Sequence, residues 1–187
     1  TPSPIVEDND LFYLIVKGEN FQIDFKRRDG FLSLYEVNGM SILHEGAQLR
    51  PNFWRAPTDN DMGAGLQQKY VVWKNPKLEL KNLEHATENG MVVVKAQYDM
   101  PEVSAKLALT YRINKEGAIE VTQSMTADKN AKVSNMFRFG MRTELNKDMS
   151  YIQYYGRGPI ENYTDRNHSE FIGKYQQTVD EQFYSYI

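Results

Sequence analysis

The sequence predicts an all-β fold in which antiparallel strands stack as a sandwich, and three observations carry that prediction. Apolar and polar residues alternate over long stretches, notably at Val103, Ala105, Leu107, Leu109, Tyr111 and Ile113, which is the period of a strand with one buried face. Tight-turn signals such as Asn38-Gly39 and Asn114-Lys115-Glu116-Gly117 separate such stretches. Helical spacing is confined to one short segment.

Residues 1–10 read as a lead-in: Thr1-Pro2-Ser3-Pro4 resembles the tail of a linker, which implies that something precedes it, and Glu7 to Asp10 are acidic. Residues 11–187 are expected to form one sandwich domain without an internal boundary. Leu11 to Val16 form a short apolar run. Phe21, Ile23 and Phe25 then alternate with Gln22, Asp24 and Lys26, and after a turn at Arg27-Arg28-Asp29-Gly30 the chain returns over Phe31 to Val37. Asn38-Gly39 predicts a two-residue hairpin that pairs Met40 to Glu45 with the preceding strand. Leu66, Tyr70 and Trp73 fall at i, i+4 and i+7, the apolar face of a short helix stopped by Pro76; core packing is their simplest role. Met62-Gly63-Ala64-Gly65, just before it, reads as a flexible entry. Val92, Val94, Ala96 and Tyr98 share one face of a later strand, and Ile119, Val121 and Met125 continue the pattern. Phe137, Phe139, Met141 and Leu145 predict a further long strand with Arg138, Arg142 and Glu144 on its other side. These two arginines either line a sugar or anion groove or cover a sheet and pair with acidic neighbours. Tyr151, Tyr154 and Tyr155 suit either stacking on sugar faces or ordinary strand packing.

Composition excludes several classes of function. The 187 residues contain 22 Lys and Arg against 25 Asp and Glu, a formal net charge of -3, which gives no reason to expect nucleic acid or an anionic membrane as partner. Apolar runs such as Met91-Val92-Val93-Val94 are far too short to span a bilayer, so a soluble protein is expected. Without cysteine there is no disulfide, thiolate metal site or cysteine nucleophile. The three histidines, His44, His85 and His168, lack the spacing of a metal pair, and no metal or cofactor is expected in this chain.

The densest polar stretch is Asn52-Phe53-Trp54-Arg55-Ala56-Pro57-Thr58-Asp59-Asn60-Asp61-Met62-Gly63. Pro57 pushes Ala56 toward an extended conformation, so Trp54 and Arg55 are expected to be strand-like. Asp59-Asn60-Asp61 reads as a structured turn, with Asp61 a candidate helix N-cap. Three roles fit the two aspartates. They suit a catalytic carboxylate pair of the glycosidase kind, oxygen ligands of a hard cation, or caps of backbone N–H groups with an Arg55 ion pair. A second polar segment, Gly156-Arg157-Gly158-Pro159-Ile160-Glu161-Asn162-Tyr163-Thr164-Asp165-Arg166, reads as a loop. It lacks the lysine of a phosphate-binding loop. Glu161, Asp165 and Arg166 form a charged cluster expected to reach Arg55, Asp59 or Asp61. Asn162-Tyr163-Thr164 and Asn167-His168-Ser169 match the glycosylation acceptor pattern, which matters only in a eukaryotic secretory setting.

Both polar runs, in this order and at this separation, resemble the signatures of the C-terminal small-chain domain of the large bacterial β-galactosidases of glycoside hydrolase family 2. The resemblance spans most of the chain. It implies an antiparallel supersandwich related to galactose mutarotase, placed against a barrel that carries two catalytic glutamates. It also implies that the family's domain continues well beyond Phe183-Tyr184-Ser185-Tyr186-Ile187, so the chain is expected to be a truncated piece with unpaired edges and a tendency to associate. On this basis Trp54, Arg55, Asp59, Asn60, Asp61 and Gly63 are expected at the periphery of a substrate site. Gly156, Arg157, Gly158, Pro159, Glu161, Asn162, Tyr163, Asp165 and Arg166 are expected to form a structural signature loop. No catalytic residue is expected in the chain itself, and the magnesium and sodium often used by the family belong to other domains. The implied partners are the remaining domains of a β-galactosidase, a β-galactoside or galactose, and a second copy of the chain; the implied compartment is bacterial cytoplasm or periplasm. The competing expectation is a free-standing mutarotase-like module that binds or epimerises sugar through a glutamate base and a histidine acid.

Overall fold

A computed structural model of the chain describes residues 2–160, 168 and 170–183. The chain divides into two compact units, Thr1–Leu145 and Asn146–Ile187. In the first unit, β1 (Ile5–Glu7), β2 (Tyr13–Lys17), β3 (Phe21–Lys26), β4 (Leu32–Val37) and β5 (Met40–Ser41) form one antiparallel sheet in chain order. After β6 (Arg50–Asn52) come two short helices, α1 (Asp59–Gly63) and α2 (Leu66–Lys69), and a 3₁₀ turn at Val71–Trp73. A second antiparallel sheet, ordered β10-β9-β8-β7, contains β7 (Glu79–Glu88), β8 (Met91–Met100), β9 (Ala105–Ile113) and β10 (Ile119–Ala127). A short β11 (Gly140–Arg142) pairs with β6.

The alternation read from the sequence is the burial pattern of these strands. On β3 the side chains of Phe21, Ile23 and Phe25 are buried, and on β9 those of Ala105, Leu107, Leu109, Tyr111 and Ile113. These faces join in one apolar core, so the two sheets pack as the predicted sandwich. Phe25 meets Tyr111 edge-on at 4.8 Å between ring centroids, and Phe31 stacks on Tyr98 at 5.3 Å. Burying a ring of this size contributes on the order of 1.5–3 kcal/mol. The Asn38-Gly39 hairpin forms as predicted, with both residues at positive φ, 51° and 76°.

The two core tyrosines have unequal polar ends. Tyr98 donates its hydroxyl hydrogen to the Asp29 carbonyl at 2.7 Å, whereas the Tyr111 hydroxyl is buried without a hydrogen-bond partner among the described residues. Burial pushes both phenols well above their ordinary range. Gly30, at φ +72°, lets the chain turn beneath Tyr98; a Cβ there would lie 2.6 Å from its hydroxyl.

Three local expectations are corrected. Part of the lead-in is ordered as β1, because Val6 pairs with Val16 and packs on the core. The hairpin return is only two residues long, since after Ser41 the chain leaves the sheet and Leu43 bridges to Leu145. The long strand expected over 137–145 is reduced to Gly140–Arg142, with Phe137 and Phe139 outside it. The helical segment expected around Leu66, Tyr70 and Trp73 forms as α2 and the 3₁₀ turn, and a further short helix, α1, precedes it.

In the second unit, β12 (Tyr151–Gly158) pairs antiparallel with β13 (Phe171–Thr178) from Tyr151↔Thr178 to Gly158↔Phe171. Gly156, Arg157 and Gly158 belong to β12 and not to the loop expected for them. Tyr154 and Tyr175 stack at 5.4 Å, which leaves Tyr155 and Tyr151 exposed on the other face. No helix among the described residues is long and apolar enough to cross a membrane.

The unequal hydroxyls generate a paired prediction. Y98F removes a buried hydrogen bond and should cost about 1–2 kcal/mol, while Y111F removes an unpartnered hydroxyl and should be neutral or stabilising. Urea unfolding of the two variants checks this, and equal losses would contradict it.

Candidate functional site

The site is assembled by the polar stretch after β6. Asn52 closes its start locally: its side-chain amide donates to the Trp54 carbonyl at 2.9 Å, and its carbonyl oxygen accepts from the Trp54 amide at 3.2 Å. Phe53 points into the core against Trp73, with ring centroids 5.6 Å apart. Trp54 lies edge-on to Phe137 at 4.9 Å, and Tyr70 approaches the same ring at 5.1 Å. The Arg55 guanidinium sits 4.7 Å from the Phe137 centroid, within cation–π range.

From that platform Arg55 reaches Asp61. Its Nη1 donates to Asp61 Oδ2, and its Nη2 lies 3.4 Å from Oδ1, a fork-like arrangement on both carboxylate oxygens. The same carboxylate accepts from the Thr58 backbone N–H at 2.8 Å, while Thr58 Oγ1 accepts from the Asp61 N–H at 3.3 Å. Thr58 is therefore the N-cap of α1, and Asp61 closes a capping box from the third helical position. This corrects the reading of Asp61 as the N-cap: the carboxylate reaches backward to the cap residue instead of standing in its place. The Arg55 hydrogen bond, then the Thr58 amide, hold the Asp61 carboxyl down at about 2. Its side chain is only 10% exposed. Of the three roles open for this residue, the structural one is realised.

Asp59, Asn60, Met62 and Gly63 are exposed along α1. Among the described residues, the side chains of Asp59 and Asn60 make no hydrogen bond. Gly63 ends the helix, and Gly65, at φ +66°, turns the chain into α2, so the segment expected to be a flexible entry is a short helix followed by one left-handed residue. Beside β6 and β11 lies a cleft of about 780 Å³ lined by Phe31, Arg50, Asn52, Lys74, Arg142 and Glu144 among others. Of the two arginines proposed for a groove, Arg142 lines this cleft, 3.7 Å from Glu144, and Arg138 does not.

The histidines are dispersed. His85 Nε2 lies 3.1 Å from Asp8 Oδ2, His44 uses its backbone N–H on the Glu144 carbonyl, and His168 is exposed. Among the described residues no three His, Asp or Glu are grouped as a metal site. In the second unit, Arg157 Nη1 donates to the Glu170 carbonyl at 3.3 Å, and the Pro159 carbonyl accepts from the Tyr154 hydroxyl at 3.1 Å. Glu161, Asn162, Tyr163, Asp165 and Arg166, with the charged cluster expected there, lie outside the described residues. Sequence reasoning missed Thr58, Phe137 and Tyr70 as parts of the site. The Thr58-x-x-Asp61 spacing is a legible capping signal, but nothing local to Phe137 ties it to Arg55.

The first unit is thus an antiparallel β-sandwich that carries one arginine-locked polar loop. Comparison with known proteins specifies the kind. The model of the β-galactosidase small chain matches residues 17–187, and the chain belongs to that family. It is 32% identical over 186 residues to a β-galactosidase of Lactobacillus delbrueckii subsp. bulgaricus, covering 98% of this chain and 18% of that protein. A β-galactosidase of Priestia megaterium is 31% identical over 188 residues, covering 100% and 18%, and one from Streptococcus thermophilus is 29% identical over 189 residues. The chain thus spans about 18% of the length of these relatives.

The lowered Asp61 carboxyl carries a pH signature. Because its folded value lies below the ordinary 3.8, the contribution of the ion pair is present above pH 4 and is lost as pH falls toward 2. The Thr58 amide resonance, which reports the carboxylate it donates to, should titrate with a midpoint near pH 2 and should not titrate in D61N. A midpoint near 3.8 would mean that Arg55 does not hold the group.

Proposed function

We propose that this chain is a non-catalytic part of a β-galactosidase that hydrolyses terminal β-D-galactosides. In this reading the Trp54–Gly63 loop shapes the mouth of a site whose reacting groups belong to the rest of the enzyme. Its match to the small-chain family over residues 17–187, in a chain spanning 18% of its relatives, carries the proposal.

The chemistry of the loop supports the same division of labour. A retaining glycosidase needs a proton donor poised near neutral pH and a carboxylate nucleophile about 5–5.5 Å away. Asp61 cannot be that donor, because a carboxyl held at about 2 stays ionised at neutral pH and its oxygens are engaged by Arg55 and Thr58. Asp59 is left exposed on α1. Trp54 and Asn60 offer an aromatic edge and an amide, groups that suit contact with a sugar held by other domains. The partners in this reading are those remaining domains and a galactoside.

The chain alone should neither hydrolyse a chromogenic β-galactoside nor speed galactose mutarotation, and supplying the remaining portion of such an enzyme in trans should restore hydrolysis. Turnover by the chain alone in either assay would overturn the proposal.

A further inference from the structure

The β6–β11 ribbon sets two like charges against each other. Its register places Arg142 directly opposite Arg50, so the two side chains leave one face of the ribbon with their Cβ atoms about 4.5–5.5 Å apart. Like charges in that position destabilise the pairing, and the ribbon has only three residues per strand to offset them. Both arginines line the cleft of about 780 Å³, a size within the range of about 300–1,000 Å³ that takes small molecules. The residues that line it lie between Asp29 and Glu144, all inside the first unit, so the two guanidiniums are brought together by pairing internal to that unit.

The carboxylates of the cleft do little to neutralise this pair. Arg142 meets Glu144 at 3.7 Å with both side chains largely exposed, a contact worth little in water. Among the described residues, the Arg50 guanidinium has no carboxylate within ion-pair distance and donates no hydrogen bond. It lies instead 4.9 Å from the centroid of the buried Phe31 ring, a contact that holds the cation in place and leaves its N–H groups unspent. Lys74, on the same cleft, likewise has no carboxylate partner among the described residues. Of the remaining acidic groups there, Asp29 is taken up by the Gln48 side-chain amide and the Phe31 N–H, and Glu45 pairs with none of these three cations.

We propose that this cleft is an oxyanion-binding site, in which Arg50 and Arg142 clamp the phosphate or carboxylate group of a small molecule and Lys74 adds a third positive charge. An oxyanion held between the two guanidiniums converts their mutual repulsion into attraction to a shared partner. Guanidinium edges match the oxygens of either group with paired, charge-assisted hydrogen bonds. The cleft is larger than a bare ion, so it has room for a ligand with a body beyond its anionic group. The site uses neither Asp59 nor Asp61 and does not depend on the role proposed for the Trp54–Gly63 loop.

An NMR titration that follows the arginine Nε–H resonances tests this, with inorganic phosphate and acetate as probes and sodium chloride at matched ionic strength as the control. The Arg50 and Arg142 resonances should shift saturably with at least one of the two oxyanions and not with chloride. The stronger probe then tells a phosphoryl ligand from a carboxylate one. R142Q, at a largely exposed side chain, should bind at least about tenfold more weakly. R138Q removes the same charge outside the cleft and should bind as the wild type does. No saturable shift with either oxyanion, an equal response to chloride, shifts that spare Arg50 and Arg142, or equal affinities in R142Q and R138Q would each overturn the proposal.

Discussion

A carboxylate with little water around it needs fixed partners, and the Asp61 carboxylate is the constraint on which the polar loop depends. Arg55 and the Thr58 amide supply those partners, and each supplier is fixed in turn. Thr58 is placed by the first turn of α1, which its own hydroxyl caps. Arg55 is placed by Phe137, whose ring also meets Trp54 and Tyr70. A single ion pair thereby ties three separate pieces of chain, the loop, the helical segment and the run before β11, into one arrangement.

The sandwich makes that arrangement affordable. Phe53 enters the core at the start of the loop and Trp73 enters it after α2, where the Trp73 indole N–H donates to the Ser134 carbonyl at 3.0 Å. Both ends of the polar stretch are thus nailed to a packed interior, and Asp59, Asn60, Met62 and Gly63 of α1 are among the exposed residues between them. Polar loops carried on a rigid β-scaffold are where contacts with substrates and neighbouring domains concentrate, and the role proposed for this loop draws on that tendency.

Much of the sandwich was legible because its signal is local. Phe21, Ile23 and Phe25 bury alternately because the strand period is two, and Asn38-Gly39 turns because both residues tolerate positive φ. Phe137 and Phe139 follow the same period, yet they lie outside any strand. One packs with Trp54, Tyr70 and Arg55, and the other with Phe53, so distant contacts override the local pattern. The pairing of Arg55 with Asp61 was among the roles the sequence left open, because a six-residue separation permits the contact without requiring it. The cap was misplaced by three residues because threonine and aspartate both cap helices, and only the backbone path decides which one does.

The account rests on the claim that the charges of this loop are committed to its own architecture. A double-mutant cycle on R55A and D61A, read by denaturant unfolding above pH 5, tests it most directly. The account predicts strong coupling, with the R55A/D61A double variant losing much less stability than the sum of the two single losses. Strictly additive losses would contradict it, because they would mean that the guanidinium and the carboxylate do not depend on each other.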